Sequence, residues 1–161
     1  MSKLGVRPAT TEDAEALVNL WHPIMQERAQ FDRRLQLSAD APSLWKVELQ
    51  DWLDREDVVV LVAENDQKLV GYVIGWILER PIFTFQERYG YISDLGVDGH
   101  AHLGGIGTVL FDGIKSWFRQ QGVERLDIQV MHSHPIAQAF WRAKGATQYM
   151  DHFWYKLPSD Q

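Results

Sequence analysis

The chain has 161 residues, of which 45% are hydrophobic and 24% charged, with a formal net charge of −6 and no cysteine. One soluble globular domain over residues 1–161 is expected, and the missing cysteines exclude disulfides, thiolate metal sites and a cysteine nucleophile. The acidic balance argues against nucleic acid as a partner. With no apolar run near the ~18 residues of a membrane span and no signal-peptide core at the N-terminus, the chain reads as cytoplasmic, with no membrane partner.

The first strand candidate is residues 3–9, KLGVRPA, closed by Pro8. A helix is expected over residues 10–28. Thr10 and Asp13 stand at capping-box spacing, and Ala14, Leu17, Val18, Trp21 and Met25 recur at helical intervals. Pro23 inside it predicts a kink or a break. A second helix is expected over residues 41–57, with Leu44, Trp45, Leu49, Trp52 and Leu53 on one side. Then the period changes. VVVLVAE and KLVGYVIGWILE are apolar and β-branched, and the NDQ between them makes a hairpin. RYGYISDLGV is the next strand, and DGHAHLGG follows it as a loop. IGTVLFDGIKSWFRQQ is a helix whose apolar stripe is Ile106, Val109, Leu110, Ile114, Trp117 and Phe118, with Gly122 as its C-cap. VERLDIQV predicts a strand, PIAQAFWRAKG a helix ending on Gly145, and ATQYMDHFWYKL a last strand. This order implies an α+β chain, α/β-like in its second half, with helices packed on a sheet. The tryptophans fall mostly at helical spacing or within strands and read as core.

Gly104, Gly105 and Gly107 lie between a strand and the first turn of a helix. The amides of that turn have no partner inside the helix, and the helix dipole makes this end positive. Such an end binds phosphate, and glycine lets the phosphate approach the backbone; Thr108 could add its hydroxyl. The plainer alternative is a tight strand-to-helix turn. No Gly-Lys-Ser/Thr follows, which excludes a Walker loop, and the spacing does not fit a Rossmann fingerprint.

Around this turn the chain resembles the GNAT superfamily of acetyl-CoA-dependent N-acetyltransferases. The family's Gln/Arg-x-x-Gly-x-Gly/Ala motif falls on His102, Gly105 and Gly107, after a strand ending Asp94-Leu95-Gly96-Val97. Its downstream Asn-x-x-Ala-x-x-Phe-Tyr stretch falls on His134, Ala137, Phe140 and Trp141, and its Gly-Phe on Gly145-Ala146. His102, His134, Trp141 and Ala146 depart from the pattern.

The resemblance implies a central mixed, mostly antiparallel sheet of about six strands with four helices, two strands splaying at the cofactor cleft. It implies acetyl-CoA as co-substrate and no metal. The pyrophosphate would sit on the N–H groups of Leu103, Gly104, Gly105, Ile106, Gly107 and Thr108, beside His102. Pantetheine would run along Leu95 and Val97 like an added strand, and a backbone N–H there would polarise the thioester carbonyl. His134, Ala137, Phe140 and Trp141 would complete the cofactor wall. Asp94 is the candidate base for the attacking amine; its alternative is a structural carboxylate that accepts loop N–H groups. Many relatives place a tyrosine acid where Trp141 stands. An indole cannot replace it, and Tyr149 is the nearest substitute.

Phe31 and Asp32, in the connection over residues 27–37, would hold the acceptor; the alternative is a solvated, mixed-charge link. Phe83, Phe85 and Tyr89 read as core, acceptor wall or a homodimer contact. The implied reaction is transfer of acetyl to a primary amine of a small molecule or peptide by direct attack. Two rivals stand beside it. One is a non-catalytic acyl-CoA-binding or sensor module on the same fold. The other is a metal-dependent hydrolase built on the His100/His102 and His132/His134 pairs.

Overall fold

The structure is a computed structural model that describes residues 3–85, 88–101 and 104–160. It divides into two compact units, Met1–Gln129 and Val130–Gln161. In the first, β1 (Leu4–Pro8) leads through a short 3-10 turn into α1 (Ala14–Arg28) and α2 (Ala41–Leu53). Then come β2 (Val58–Asn65), β3 (Lys68–Glu79), β4 (Arg88–Val97), α3 (Ile106–Gln120) and β5 (Leu126–Ile128). The strands lie side by side in sequence order. Neighbours from β1 to β4 are antiparallel, and β5 joins β4 in parallel. That parallel join needs a crossover, which α3 supplies.

Local chemistry accounts for most boundaries. Thr10 donates its N–H to Asp13 Oδ2 at 2.8 Å, the reciprocal half of the expected capping box. The helix runs through Pro23 without a break, which corrects one of the two readings of that proline. The β2–β3 hairpin turns on Asp66 and Gln67, both with positive φ (49° and 66°), as a tight primed turn requires. The second helix stops at Leu53, short of the expected 57.

The two faces of the sheet carry different partners. Val58, Val60, Val62, Tyr72 and Ile74 form one cluster with Ala14, Leu17 and Trp21 of α1 and Ala41 and Leu49 of α2. Trp21 stacks on Trp45 at 4.7 Å between ring centres, and Trp52 meets Trp76 edge-on at 5.4 Å. On the other face, α3 lies close because the strands beneath it carry glycine. A Cβ on Gly75 would come within 2.6 Å of Ile114 Cδ1, and one on Gly90 within 2.7 Å of Phe118 Cε1. Buried Ile106, Leu110, Phe111, Ile114 and Phe118 of α3 complete this layer.

The second unit holds α4 (Pro135–Ala143), which ends in a left-handed Gly145 at φ 88°. Residues 146–160 form neither helix nor strand. The expected last strand is therefore absent, and the sheet has five strands where about six were expected. Strand propensity expresses itself only against a partner edge, and no described segment pairs with this stretch. Trp154 lies here, 62% exposed, against the expectation of a core role. The fold class stands: α+β, with a mixed, mostly antiparallel sheet and four helices.

Candidate active site

Along β4 the sheet opens. Ile74 of β3 pairs with Asp94, but the next residue, Gly75, pairs with Ile92, so Ser93 is an extra residue and forms a β-bulge. Its hydroxyl accepts Trp76 Nε1 at 2.8 Å. On the opposite side, β5 pairs with β4 only as far as Ile92, which faces Ile128. One further bond, from the Gln129 N–H to the Ile92 carbonyl at 3.2 Å, closes that pairing. Among the described residues, no strand pairs with residues 93–97 on this side.

Which groups reach the open edge follows from alternation. The Asp98 N–H donates to the Val70 carbonyl on β3 at 2.9 Å. Backbone groups of successive strand residues turn to opposite edges, so Gly96 faces β3 while Val97 and Leu95 face out. Gly71, which pairs with Val97, lies directly under the first turn of α3. A Cβ there would stand 2.8 Å from Ile106 Cγ2 and 2.9 Å from Leu110 Cδ1. The open edge and the start of α3 are thus neighbours.

Gly105 is the N-cap of α3 and sits at φ 84°, a left-handed conformation that favours glycine. Its carbonyl accepts the Val109 N–H at 3.0 Å, which begins the helical ladder. No acidic residue occupies the first turn to offset the helix dipole, and among the described residues beyond their chain neighbours nothing lies within 4 Å of a Cβ placed on Gly104 or Gly105. A positive, glycine-led helix end beside an unpaired strand edge suits a ligand with a diphosphate at one end and amides along its length. His102 and Leu103, also expected to hold the cofactor, lie outside the described residues.

Among the described residues, Asp94 is gripped by side chains, where loop amides were the expected partners of a structural carboxylate. Arg28, the last residue of α1, donates through Nη1 to Asp94 Oδ1 at 2.5 Å and through Nη2 to the Leu95 carbonyl at 2.6 Å. Tyr72 donates its hydroxyl to Asp94 Oδ2 at 2.7 Å. Burial pushes the Tyr72 phenol well above its ordinary range, and the Asp94 charge adds to this, so Tyr72 stays a donor. Burial is the largest single influence on Arg28 and works to lower its value, but the charge and hydrogen bond of Asp94, with Tyr72 and Glu27, together make the net shift upward. Gly96 is demanded by the same cluster: a Cβ there would lie 2.4 Å from Tyr72 Cε1.

Sequence reasoning missed Arg28, Tyr72 and Gly96. Arg28 sits at a helix end with no motif around it. Tyr72 stands within the apolar strand candidate KLVGYVIGWILE, and its one signal is a hydroxyl in the middle of that run.

The remaining expected residues lie in several elements of the two units. Asp32 makes two side-chain bonds with Arg34, at 2.7 and 2.6 Å, and that pairing pulls its carboxyl down to about 2. Phe31 lies one residue before it and is 38% exposed. Tyr89 is paired with Leu78 near the other end of β4, under the Arg80 guanidinium at 4.0 Å. Five residues of strand separate it from Asp94, about 17 Å. Phe83 and Phe85 are exposed at the β3–β4 connection. In the second unit, His134 is the N-cap of α4 and accepts the Ala137 N–H on Nδ1 at 3.2 Å. Phe140 and Trp141 meet edge-on at 5.0 Å within α4, and Tyr149 lies in the stretch after it. Among the described residues, no three histidine or acidic side chains gather as a metal site, and no helix is long and apolar enough to cross a membrane.

Comparison with known proteins bears on the family and the fold. The mycothiol acetyltransferase of Salinispora tropica is 30% identical over 156 residues, 94% of this chain and 46% of that protein. The chain thus spans about half the length of that curated relative. A solved protein of Bacillus halodurans is 25% identical, with a TM-score of 0.85 over 96% of this chain and 99% of that one. An aminoglycoside N-acetyltransferase solved with CoA shares the fold at a TM-score of 0.76 and 14% identity, over 99% of this chain and 97% of that one. The sequence profile of the acetyltransferase (GNAT) family matches residues 17–146. With that match spanning both units, and with a β4 that opens beside a glycine-led helix, the chain belongs to the acetyltransferase (GNAT) family.

Proposed function

We propose that this chain transfers the acetyl group of acetyl-CoA to a primary amine of a small molecule. The observation that carries the reading is the β4 edge at Leu95 and Val97, unpaired among the described residues, beside the glycine-led N-terminus of α3. Leu95 and Val97 would hold the pantetheine amides, and the amides of Gly105, Ile106 and Gly107 the diphosphate. Acetyl-CoA supplies an acyl carbon activated by a thiolate leaving group. The Leu95 N–H, on the open edge, is the donor best placed to receive the carbonyl oxygen. The amine forms the new C–N bond, the C–S bond breaks, the amine gives up one proton and the thiolate gains one. A thiol has a pKa near 8.5, so the thiolate leaves with little help from an acid. Tyr149 is the hydroxyl to test for that part. The mycothiol and aminoglycoside acetyltransferases among the similar proteins make amine-bearing small molecules the first acceptors to try. Acetyl-CoA is available in the cytoplasm, and we assign the protein there.

Asp94 fits an anchor better than a base in this reading, because both its oxygens already receive strong donors. The amine proton then leaves through water. Release of CoA thiol against a panel of amines tests the activity, and binding of CoA without turnover would favour the sensor module. Asp94→Asn tests the anchor. As an anchor, the variant keeps its acidic pH limb and loses about tenfold or less in kcat. Loss of that limb with a drop beyond about a hundredfold would restore Asp94 as the base.

A further inference from the structure

The outer edge of β4 offers a ligand fewer groups than its backbone carries. Leu95 and Val97 each turn one N–H and one carbonyl outward. Left alone, they would accept an extended, amide-bearing ligand in two positions offset by two residues, about 7 Å. Arg28 removes one of these choices. Its Nη2 takes the Leu95 carbonyl at 2.6 Å while Nη1 is tied to Asp94 at 2.5 Å. Asp94 is held from its other oxygen by Tyr72, and the Tyr72 ring is seated against Gly96 of the same strand. The guanidinium is 21% exposed and the carboxylate 14%, so solvent competes weakly for either.

We propose that Arg28 is a positioning residue that sets the register of the pantetheine arm on β4. By occupying the Leu95 carbonyl, it leaves the Val97 carbonyl as the acceptor for a ligand amide, with the Leu95 N–H kept for the thioester end. The inference rests on the acetyl-CoA reading above. It assigns Arg28 no contact with the acyl group; Arg28 acts through the strand.

The test uses the full chain with Arg28→Met and Asp94→Asn combined, read against Asp94→Asn alone. Methionine keeps the bulk, and asparagine leaves Tyr72 a partner, so no buried charge is stranded. Freeing the Leu95 carbonyl admits the shifted position, in which acetyl-CoA is bound but misplaced. Both kcat and the KM for acetyl-CoA should fall together by about twofold, the result when the two positions no longer differ by one hydrogen bond. Binding of 3′,5′-ADP, which lacks the arm, should stay unchanged by calorimetry. Arg28→Lys, with Asp94 intact, keeps a cation and should return both constants most of the way to wild type. A lower kcat at constant KM would mean only less active protein and would overturn the proposal, as would two unchanged constants. If the wild type binds neither CoA nor 3′,5′-ADP, the acetyl-CoA reading fails and this inference with it. If the wild type binds and turns over acetyl-CoA while the double variant matches Asp94→Asn alone, the register role alone fails.

Discussion

Tyr72 and Gly96 are a fitted pair, and each explains the other. The Tyr72 ring crosses the place where a side chain at 96 would be, at 2.4 Å from Cε1 and 2.6 Å from Cζ. Gly96→Ala must therefore push a fully buried ring, and overpacking of that kind costs about 1–3 kcal/mol. Tyr72→Leu in the same chain should recover part of that loss, a non-additivity measurable by urea unfolding of the two single variants and the double. Strict additivity would show that the ring is not what the new methyl meets. A second residue-scale prediction concerns acid. Arg7 donates to both oxygens of Asp13, at 2.7 and 2.9 Å, and to Glu64 at 2.8 Å. The Arg7 hydrogen bond holds the Asp13 carboxyl down at about 2, against an ordinary value of 3.8. A carboxyl depressed in the folded state stabilises above its unfolded pKa, and that contribution is lost as pH falls from about 4 to 2. Arg7 is 40% exposed, so screening holds the contribution to about 1 kcal/mol or less. Asp13→Asn should lower stability at pH 7 and lose part of the wild-type slope between about pH 4 and 2.

At the scale of elements, α3 is where helix stability and ligand binding can be separated. Gly107 lies inside the helix, one position past its first residue. In a helix, glycine to alanine is worth up to about 1 kcal/mol of stability. On the acetyl-CoA reading, the same methyl would stand where the phosphate approaches the backbone. Gly107→Ala should therefore raise or hold the melting temperature while weakening CoA binding by about tenfold or more. Weaker binding with a lower melting temperature would point instead to damaged packing. Gly105 is unsuited to this test, since its φ of 84° strains any other residue. The elements themselves were largely legible. Alternation and β-branching marked β2, β3 and β4, and the stripe through Ile106, Leu110, Ile114 and Phe118 marked α3. What the sequence did not carry was the bulge at Ser93. It depends on how two strands pair, and nothing within either strand announces it.

For the molecule as a whole, the same distinction decides how much of the site could be read. On the acetyl-CoA reading, Gly105, Ile106, Gly107, Leu95 and Val97 would act through backbone geometry, which a local sequence pattern can mark. Arg28 and Tyr72 reach Asp94 across 66 and 22 residues of chain, and no local signal marks such contacts. Residues 146–160 show the converse: local propensity for a strand, with no strand formed. Met150, Phe153, Tyr155 and Leu157 are each at least 69% exposed, while Tyr72 and Phe118 in the sheet layers are at most 1% exposed. Chymotrypsin needs an exposed aromatic in backbone that can be drawn from its surroundings. Brief digestion of the native protein should therefore cut first at Phe153 and Tyr155, and at Phe83 in the β3–β4 connection. Cuts at Tyr72 and Phe118 should wait for global unfolding. Mass spectrometry of the early fragments reads this directly. An intact C-terminus under conditions that already cleave Phe83 would contradict the exposure of this stretch. It would mean that its aromatic side chains are covered in solution, with a second copy of the chain as the first cover to look for by sedimentation.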